Sequence, residues 1–288
     1  MWYNACRRIC DCSMTTIKQA LKNKLAKKEL DIMPSSFDVV GSIAVIEIPP
    51  ELKKKEKVIA ETMIKLFKPV KTVAKKSGIH YGKYRRQKLE VLAGEKTKVA
   101  EYKESGVRMR VDLEKCYFSS RLGTERLRIA KQVKKGEKVL VMFSGVAPYP
   151  LVIARNAEPA VVYGVELNPV AHKYAEENVK LNKLQDKIKL YKGDVVGVVP
   201  ELKKKFDRIL MPMPKTSLTF LETAFKAVKK GTIIHFYTFG REEEFKEIRA
   251  KIKSECKKHK KKCRILRTVK AGQYAPGVYR VCVDFRLL

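Results

Sequence analysis

The stretch Val139-Leu-Val-Met-Phe-Ser-Gly-Val-Ala-Pro-Tyr149 constrains this chain most. A short apolar run, residues 139–143, stops at Ser144-Gly145, and a helical pattern begins after Pro148. Strand, glycine turn and helix in that order is how a doubly wound α/β sheet opens its ligand site. A second apolar run, residues 160–165, leads into Glu166, which follows Gly145 by 21 residues. A carboxylate at about that spacing is where such folds hold a ribose hydroxyl. Only one glycine stands in the turn, where the dinucleotide fingerprint needs three. The turn therefore suits a nucleoside-type cofactor such as S-adenosylmethionine better than NAD or FAD.

The alternation continues downstream. Strands are expected at 139–143, 160–166, 187–191, 207–211, 231–237, 263–269 and 279–287, with helices near 149–156, 169–182, 196–204, 216–229 and 241–258. Such alternation implies a parallel sheet with right-handed crossovers. The last two strands are separated by 9 residues, too few for a crossover helix, so they should pair as an antiparallel hairpin. Residues 116–288 are thus expected to form a Rossmann-like class I S-adenosylmethionine-dependent methyltransferase sheet, five parallel strands plus a terminal antiparallel hairpin. Residues 37–115 read as a small α+β domain that binds RNA. It has a hairpin around Gly41-Ser42, a helix over 54–67 and strands near 70–75, 89–92 and 108–113. Residues 1–36 are expected to be a basic tail with one short helix, because Ile17, Leu21, Leu25 and Leu30 recur at roughly helical spacing.

Lys and Arg number 63 against 31 Asp and Glu, a net charge of +32. A field of that size attracts phosphate backbones. Residues 71–86 interleave Lys, Arg, His and Tyr, which suits phosphate contacts plus base stacking and makes Tyr84 and Arg86 candidates for binding substrate. No apolar run reaches the roughly 18 residues that a membrane-spanning helix needs. The first residues lack the apolar core of a signal peptide. A cytoplasmic protein is expected, with nucleic acid rather than membrane as its partner. The 7 cysteines are odd in number and scattered, against a disulfide framework. Cys6, Cys10 and Cys12 lack a fourth ligand at zinc spacing, so no metal is expected.

In an open parallel sheet the ligand lies beyond the C-terminal strand ends. Those ends read Phe143-Ser-Gly145, Glu166-Leu167-Asn168, Gly193-Asp194-Val195, Pro212-Met-Pro214-Lys215 and Tyr237-Thr238. Glu166 is placed to take both ribose hydroxyls. Asp194 is placed to accept from an adenine amino group, with Val195 offering a backbone N–H. Pro212, Met213 and Pro214 are expected to form a rigid wall with free carbonyls, and Lys215 beside it is a candidate for binding substrate. Either carboxylate alone would as readily be a helix N-cap or a surface ion pair. Two at successive strand ends favour a cofactor site.

The stretch Asp112-Leu-Glu-Lys-Cys-Tyr117-Phe-Ser-Ser-Arg121-Leu-Gly-Thr-Glu125-Arg126 resembles the signature of the archaeal and eukaryotic tRNA (guanine-37-N1)-methyltransferase family. So do the turn at 142–150, Val165-Glu-Leu-Asn-Pro169, Met211-Pro-Met-Pro-Lys215, Ile234-His-Phe-Tyr237 and Tyr274-Ala-Pro-Gly-Val-Tyr279, in consistent order across residues 37–288. The Pro-Tyr-Pro-Leu after the turn and the Pro-Met-Pro-Lys look most like the archaeal branch that also methylates the wyosine precursor. The resemblance implies that Glu125 is the general base for the N1 proton and that Arg85 steadies the guanine. It implies that Tyr117, Arg126, Glu166, Leu167, Asp194, Val195 and Pro212 line the cofactor and that Arg121 lies near the substrate. The implied cofactor is S-adenosylmethionine and the implied partner is tRNA, through its anticodon stem-loop; a monomer is expected.

The chemistry agrees with the resemblance. Guanine N1 becomes a nucleophile only as its proton leaves, while negative charge builds at O6. A carboxylate base and an arginine at O6 meet those two needs. Three departures stand out. Pro212-Met-Pro214 replaces the Asn-Leu-Pro or Asn-Pro-Pro usual in the family, removing a side-chain amide. Ala147 stands where a glycine is usual. Residues 1–36 are too few for the N-terminal domain with which archaeal relatives read tRNA shape, so recognition is expected to rest on the two basic domains and to be salt-sensitive. Three alternatives stay open: methylation of 4-demethylwyosine at C7, aminocarboxypropyl transfer from the same cofactor, and RNA binding without catalysis.

Overall fold

A computed structural model of the chain describes residues 16–78 and 82–288. Cys6, Cys10 and Cys12, and the centre of the basic stretch at 79–81, lie outside the described residues. The backbone divides into two compact units. One runs to Tyr102 and adds Arg110–Ser120; the other comprises Lys103–Met109 and Arg121–Leu288.

In the first unit, helices α1 (Ile17–Ala20), α2 (Lys27–Ile32) and α3 (Glu56–Leu66) accompany strands β1 (Asp38–Val40), β2 (Ile43–Ile46), β3 (Thr72–Lys76) and β4 (Leu89–Gly94). The four strands form one sheet in sequence order. β1 and β2 are antiparallel, as are β3 and β4, while β2 and β3 run parallel with α3 as their crossover. α3 turns Ile59, Ala60 and Met63 inward at helical spacing, and all three are fully buried. α1 opens with a reciprocal cap between Thr16 and Gln19. The single helix expected near 15–30 is two short ones joined by a turn. Ile17, Leu21, Leu25 and Met33 pack in the same core as Ala44, Ile46, Ile59 and Met63. This stretch is therefore part of the small domain's core rather than a tail beside it. A further pair, β5 (Val99–Glu104) and β6 (Val107–Asp112), forms a two-stranded sheet whose tip groups with the second unit.

The second unit holds β7 (Lys138–Met142), β8 (Val161–Glu166), β9 (Ile188–Lys192), β10 (Phe206–Met211), β11 (Val228–Gly240), β12 (Cys263–Ala275) and β13 (Val278–Leu287). Its helices are α4 (Gly123–Ala130), α5 (Pro148–Asn156), α6 (Pro169–Leu181), α7 (Val195–Glu201), α8 (Leu221–Phe225) and α9 (Phe245–Lys258). The sheet order is β12-β13-β11-β10-β7-β8-β9. The five strands from β11 to β9 are parallel. β12 and β13 pair antiparallel, and β13 is inserted between β12 and β11, antiparallel to both. The helix expected over 216–229 is shorter, because β11 already begins at Val228; a 3-10 turn, Ser217–Phe220, precedes α8. The core is apolar from both faces and includes Leu140, Phe206, Ile209, Phe236 and Phe285, each 2 % exposed or less. Each contributes about 1.5–3 kcal/mol by burial.

Candidate active site

Past the end of β7 the backbone turns through three left-handed residues, Phe143 (φ 59°), Gly145 (φ 57°) and Ala147 (φ 68°). Ser144 N–H donates to the Val165 carbonyl at 2.9 Å, and Ala147 N–H donates back to Ser144 at 3.0 Å. Fully buried Asn178 on α6 clamps the turn from below, donating to the Val146 carbonyl at 3.1 Å. Pro148 then starts α5 at the position where its missing N–H costs nothing. For an alanine the left-handed conformation costs about 1–2 kcal/mol. Ala147 thus follows a backbone path that glycine would take without strain.

Across the turn, Glu166 at the end of β8 accepts from Gly145 N–H at 2.7 Å through Oε2 and from Asn168 N–H at 2.8 Å through Oε1. Burial pushes its carboxyl above the ordinary range, and the backbone donors oppose that rise. Each oxygen keeps further acceptor capacity. A carboxylate so fixed fits a vicinal diol, as on the ribose of a nucleoside cofactor. Asn168 caps α6 through Val170 N–H at 3.0 Å. Asp194 caps α7 through Val196 N–H at 2.9 Å and is exposed, while Val195 is buried. After β10, Pro212 and Met213 are half-buried, Pro214 is buried and Lys215 is exposed. The expectation that the carbonyls of this wall are free needs correction: the Met213 carbonyl accepts from Ser217 Oγ at 2.6 Å. Phe143 packs edge-on against Phe220, ring centroids 4.9 Å apart.

Glu125, in the first turn of α4, is buried. Its Oε2 accepts from Arg128 Nε at 2.6 Å; its Oε1 accepts from Arg128 Nη2 at 2.7 Å and from the Tyr237 hydroxyl at 2.6 Å. A carboxylate has about four lone-pair positions, so one remains on Oε2. Tyr149 on α5 donates to Tyr237 at 3.1 Å. Burial pushes both phenols well above their usual range, so both stay protonated donors. Arg128 also donates through Nη1 to Asp284 on β13 at 2.8 Å. Asp284 takes His235 Nδ1 at 2.6 Å, and His235 Nε2 faces Arg208 Nη1 at 2.7 Å. Arg208 in turn pairs with Glu137 at 2.8 Å. Burial alone would raise the Asp284 carboxyl, but His235 and Arg128 hold it well below the usual carboxylate range. Burial lowers His235, leaving a neutral imidazole whose Nδ1–H donates a hydrogen bond to the ionised Asp284. His235, Cys282 and Asp284 lie close enough together to suggest a metal centre. Two guanidinium groups already hold the lone pairs a cation would need, and burial keeps the Cys282 thiol protonated.

Arg126, assigned above to the cofactor, directs its guanidinium at Glu104, with Nη2 to Oε2 at 2.6 Å, and is almost fully buried. Arg121 is exposed within the 3-10 turn, Ser120–Leu122, that leads into α4. Leu167 is half-buried between Glu166 and the α6 cap.

Within the first unit, Arg85 has left-handed backbone (φ 52°) and lays its guanidinium 4.6 Å from the centre of the Tyr117 ring. The two segments are tied together locally. Gln87 N–H donates to the Glu114 carbonyl at 3.4 Å, and Leu89 N–H donates to the Glu114 carboxylate at 3.0 Å. Asp112 accepts from the N–H groups of Glu114 and Lys115, both at 3.0 Å, and turns the chain toward Tyr117. Tyr84 and Arg86 flank Arg85 and are half-buried.

Five parallel strands, an antiparallel strand inserted at one edge and a carboxylate held against the first glycine turn define a class I methyltransferase fold. A model of the TRM5/TYW2 methyltransferase domain matches residues 100–266, and one of the TYW2 N-terminal domain matches residues 17–97. The chain is 38 % identical over 256 residues to the tRNA (guanine(37)-N(1))-methyltransferase Trm5b of Pyrococcus abyssi, covering 88 % of this chain and 76 % of the relative. It is 38 % identical over 203 residues to the tRNA 4-demethylwyosine(37)-methyltransferase Taw21 of Saccharolobus solfataricus, covering 70 % and 77 %. It is 31 % identical over 279 residues to the tRNA(Phe) (4-demethylwyosine(37)-C(7)) aminocarboxypropyltransferase of Pyrococcus horikoshii, covering 94 % and 96 %. Among solved structures it resembles archaeal Trm5 in complex with tRNALeu, with a TM-score of 0.82 at 33 % identity over 96 % of this chain and 80 % of that one. It also resembles Methanocaldococcus jannaschii Trm5 in complex with adenosine, with a TM-score of 0.80 at 33 % identity over 96 % and 81 %. The chain belongs to the TRM5/TYW2 methyltransferase family.

Sequence reasoning passed over Arg128, Asp284 and Asn178, and gave Tyr237 and His235 no role. The run Ile234-His-Phe-Tyr237 at a strand end was the available signal for the last two.

Proposed function

We propose that this chain transfers the methyl group of S-adenosylmethionine to N1 of guanine 37 in the anticodon loop of tRNA. The observation that carries the reading is Glu125: a buried carboxylate with one lone pair left on Oε2, in a sheet of the methyltransferase class. The similarity to Trm5b supports it. When bound, S-adenosylmethionine supplies a methyl group already activated on a sulfonium. Glu166 holds the ribose hydroxyls, Asp194 and the Val195 N–H meet the adenine edge, and Phe143, Gly145, Pro212 and Pro214 shape the walls. Glu125 Oε2 takes the N1 proton as the nucleophile forms. Arg128 stays charge-balanced through that step because Asp284 remains its partner. Arg85 stabilises the negative charge that develops at O6. Arg121, Lys215, Tyr84 and Arg86 contact the RNA, whose loop nucleotide leaves its stack at modest cost. Positioning of nucleophile and methyl in line is the remaining contribution.

A second reading, C7-methylation of 4-demethylwyosine at the same position, is favoured by the similarity to Taw21 and by Pro212-Met213-Pro214, which offers no side-chain amide to a guanine edge. The test is methyl transfer from labelled S-adenosylmethionine to unmodified tRNA with guanine at position 37, with nucleoside analysis and Glu125→Ala alongside. The expected product is 1-methylguanosine, reduced at least about 100-fold in the variant. Methylation only of tRNA carrying 4-demethylwyosine would select the second reading. Methylthioadenosine as the cofactor product would select aminocarboxypropyl transfer over both.

A further inference from the structure

Beyond the last residue assigned to the site, β11 carries an aromatic surface with no assigned role. Phe239 follows Tyr237 by two positions, so both side chains leave the same face of the strand about 7 Å apart. The Tyr237 hydroxyl holds Glu125. The Phe239 ring lies half-buried under Tyr274, with centroids 4.2 Å apart and an interplanar angle of 32°. Tyr274, next to last in β12, is 56 % exposed, the most exposed aromatic side chain among the described large hydrophobic residues. One cation lies over this pair and another over a nearby ring. Arg280, directly opposite Phe239 in register, lies 5.7 Å over its ring. Lys270 lies 4.5 Å over the Tyr279 ring, and its ammonium meets Glu242 at 2.7 Å.

A tyrosine left this exposed, with a second ring beneath it that an arginine also touches, is a poor use of apolar surface. Such a surface suits the stacking of an unpaired nucleobase, because every base has a π-face. The net charge of +32 supplies the long-range attraction that brings RNA to such a surface. We propose that Tyr274, backed by Phe239 and the Arg280 that lies over that ring, is a subsite that stacks the unpaired nucleotide adjacent to the methylated base of the anticodon loop. The inference rests on the proposed reaction for its placement: with the target base at Glu125, the shared face of β11 leads from that base to the ring of its neighbour. A stack reads no hydrogen-bonding edge, so the subsite tolerates any base while fixing the path of the strand.

The experiment uses the whole chain and tRNAs bearing 2-aminopurine at position 36 or at position 38. Binding to the unaltered protein is expected to quench one of the two probes. Tyr274→Ala is expected to remove that quenching and weaken tRNA binding about 5- to 100-fold, raising KM for tRNA more than it lowers kcat. Tyr274→Phe, which keeps the ring, should behave like the unaltered protein. Calorimetric binding of S-adenosylmethionine should be the same in all three. Loss of thermal stability in Tyr274→Ala with unchanged tRNA affinity and quenching would overturn the inference and leave the rings as a cross-strand structural pair. Methylation by the unaltered protein, scored separately, distinguishes the two failures. Product formation with no effect of Tyr274→Ala sinks the subsite alone; quenching lost in Tyr274→Ala without any product sinks the reaction alone. Absence of tRNA binding by the unaltered protein sinks both.

Discussion

Arg128 grips both oxygens of Glu125, Nε to Oε2 at 2.6 Å and Nη2 to Oε1 at 2.7 Å, and still reaches Asp284 with its third nitrogen. The planar fork of arginine makes this possible; a lysine offers one point charge and cannot span both carboxylates. The proposed base is thus held in one rotamer by a cation that does not depend on it alone for neutrality.

Removing that cation leaves two buried carboxylates with one partner fewer each. Arg128→Ala is expected to destabilise the second unit by about 3–5 kcal/mol, read as a lower denaturation midpoint. Arg128→Lys should recover only part of the loss. A change below about 1 kcal/mol in Arg128→Ala would show that water or a rearranged side chain balances Glu125 and Asp284 just as well.

The neutral His235 gives stability a definite dependence on pH. Burial holds its pKa below the ordinary value in the fold, so below about pH 6.5 the unfolded chain binds a proton that the folded one does not. Stability should therefore be full above that pH and decline as the pH falls through it. Asp284, held low by His235 and Arg128, adds a second loss in the same direction below about pH 4. In His235→Asn the slope of unfolding free energy between about pH 5 and 6.5 should flatten relative to the unaltered protein. An unchanged slope would assign that acid sensitivity to other histidines.

Glu166 titrates in the opposite sense. Burial raises its carboxyl, and a ligand that donates hydroxyls to it stabilises the ionised form. Binding of S-adenosylmethionine at a pH just above the ordinary carboxylate range should release protons, visible by calorimetry in buffers of different ionisation enthalpy. Affinity should fall as the pH drops through that region. Glu166→Ala should weaken binding about 10- to 100-fold without abolishing folding. Proton uptake instead of release would place the cofactor's donors elsewhere.

Ala147 is fully buried and left-handed. Ala147→Gly relieves the backbone but removes a buried methyl and adds freedom to the unfolded chain, so it should change stability by less than about 1 kcal/mol. Ala147→Val places a β-branched side chain where the left-handed backbone resists it, at a fully buried position. A loss of more than about 2 kcal/mol is expected. Two equal melting curves would mean that the turn relaxes away from φ 68°.

The parallel sheet was legible because β7 and β8 are short apolar runs closed by turn residues, and because Glu166, proposed to hold the ribose, follows Gly145 by 21 residues. The ion network was not legible. Arg128 and Asp284 are separated by 156 positions, and His235 and Asp284 by 49. No local periodicity links residues that meet only when β13 slides between two other strands. Arg126 shows the same limit from the other side: next to the proposed base in sequence, it turns inward to Glu104, 22 positions upstream. The residues around 17–33 misled for a different reason. Their apolar positions serve two short helices in one core, and a single helical period describes them poorly.

The place of β13 has a consequence for how the chain assembles. It is the last strand of the sheet in chain order, yet it lies between β11 and β12. β12 has no hydrogen-bonded neighbour until β13 arrives, so the edge of the sheet can only be completed out of order, from the inside outward. The same strand delivers Asp284 to Arg128 and Arg280 to Phe239. A folding intermediate lacking it would have the ligand turn formed and its proposed base unbalanced. Protection of β12 amides against hydrogen exchange should therefore appear together with the capacity to turn over substrate, not before it.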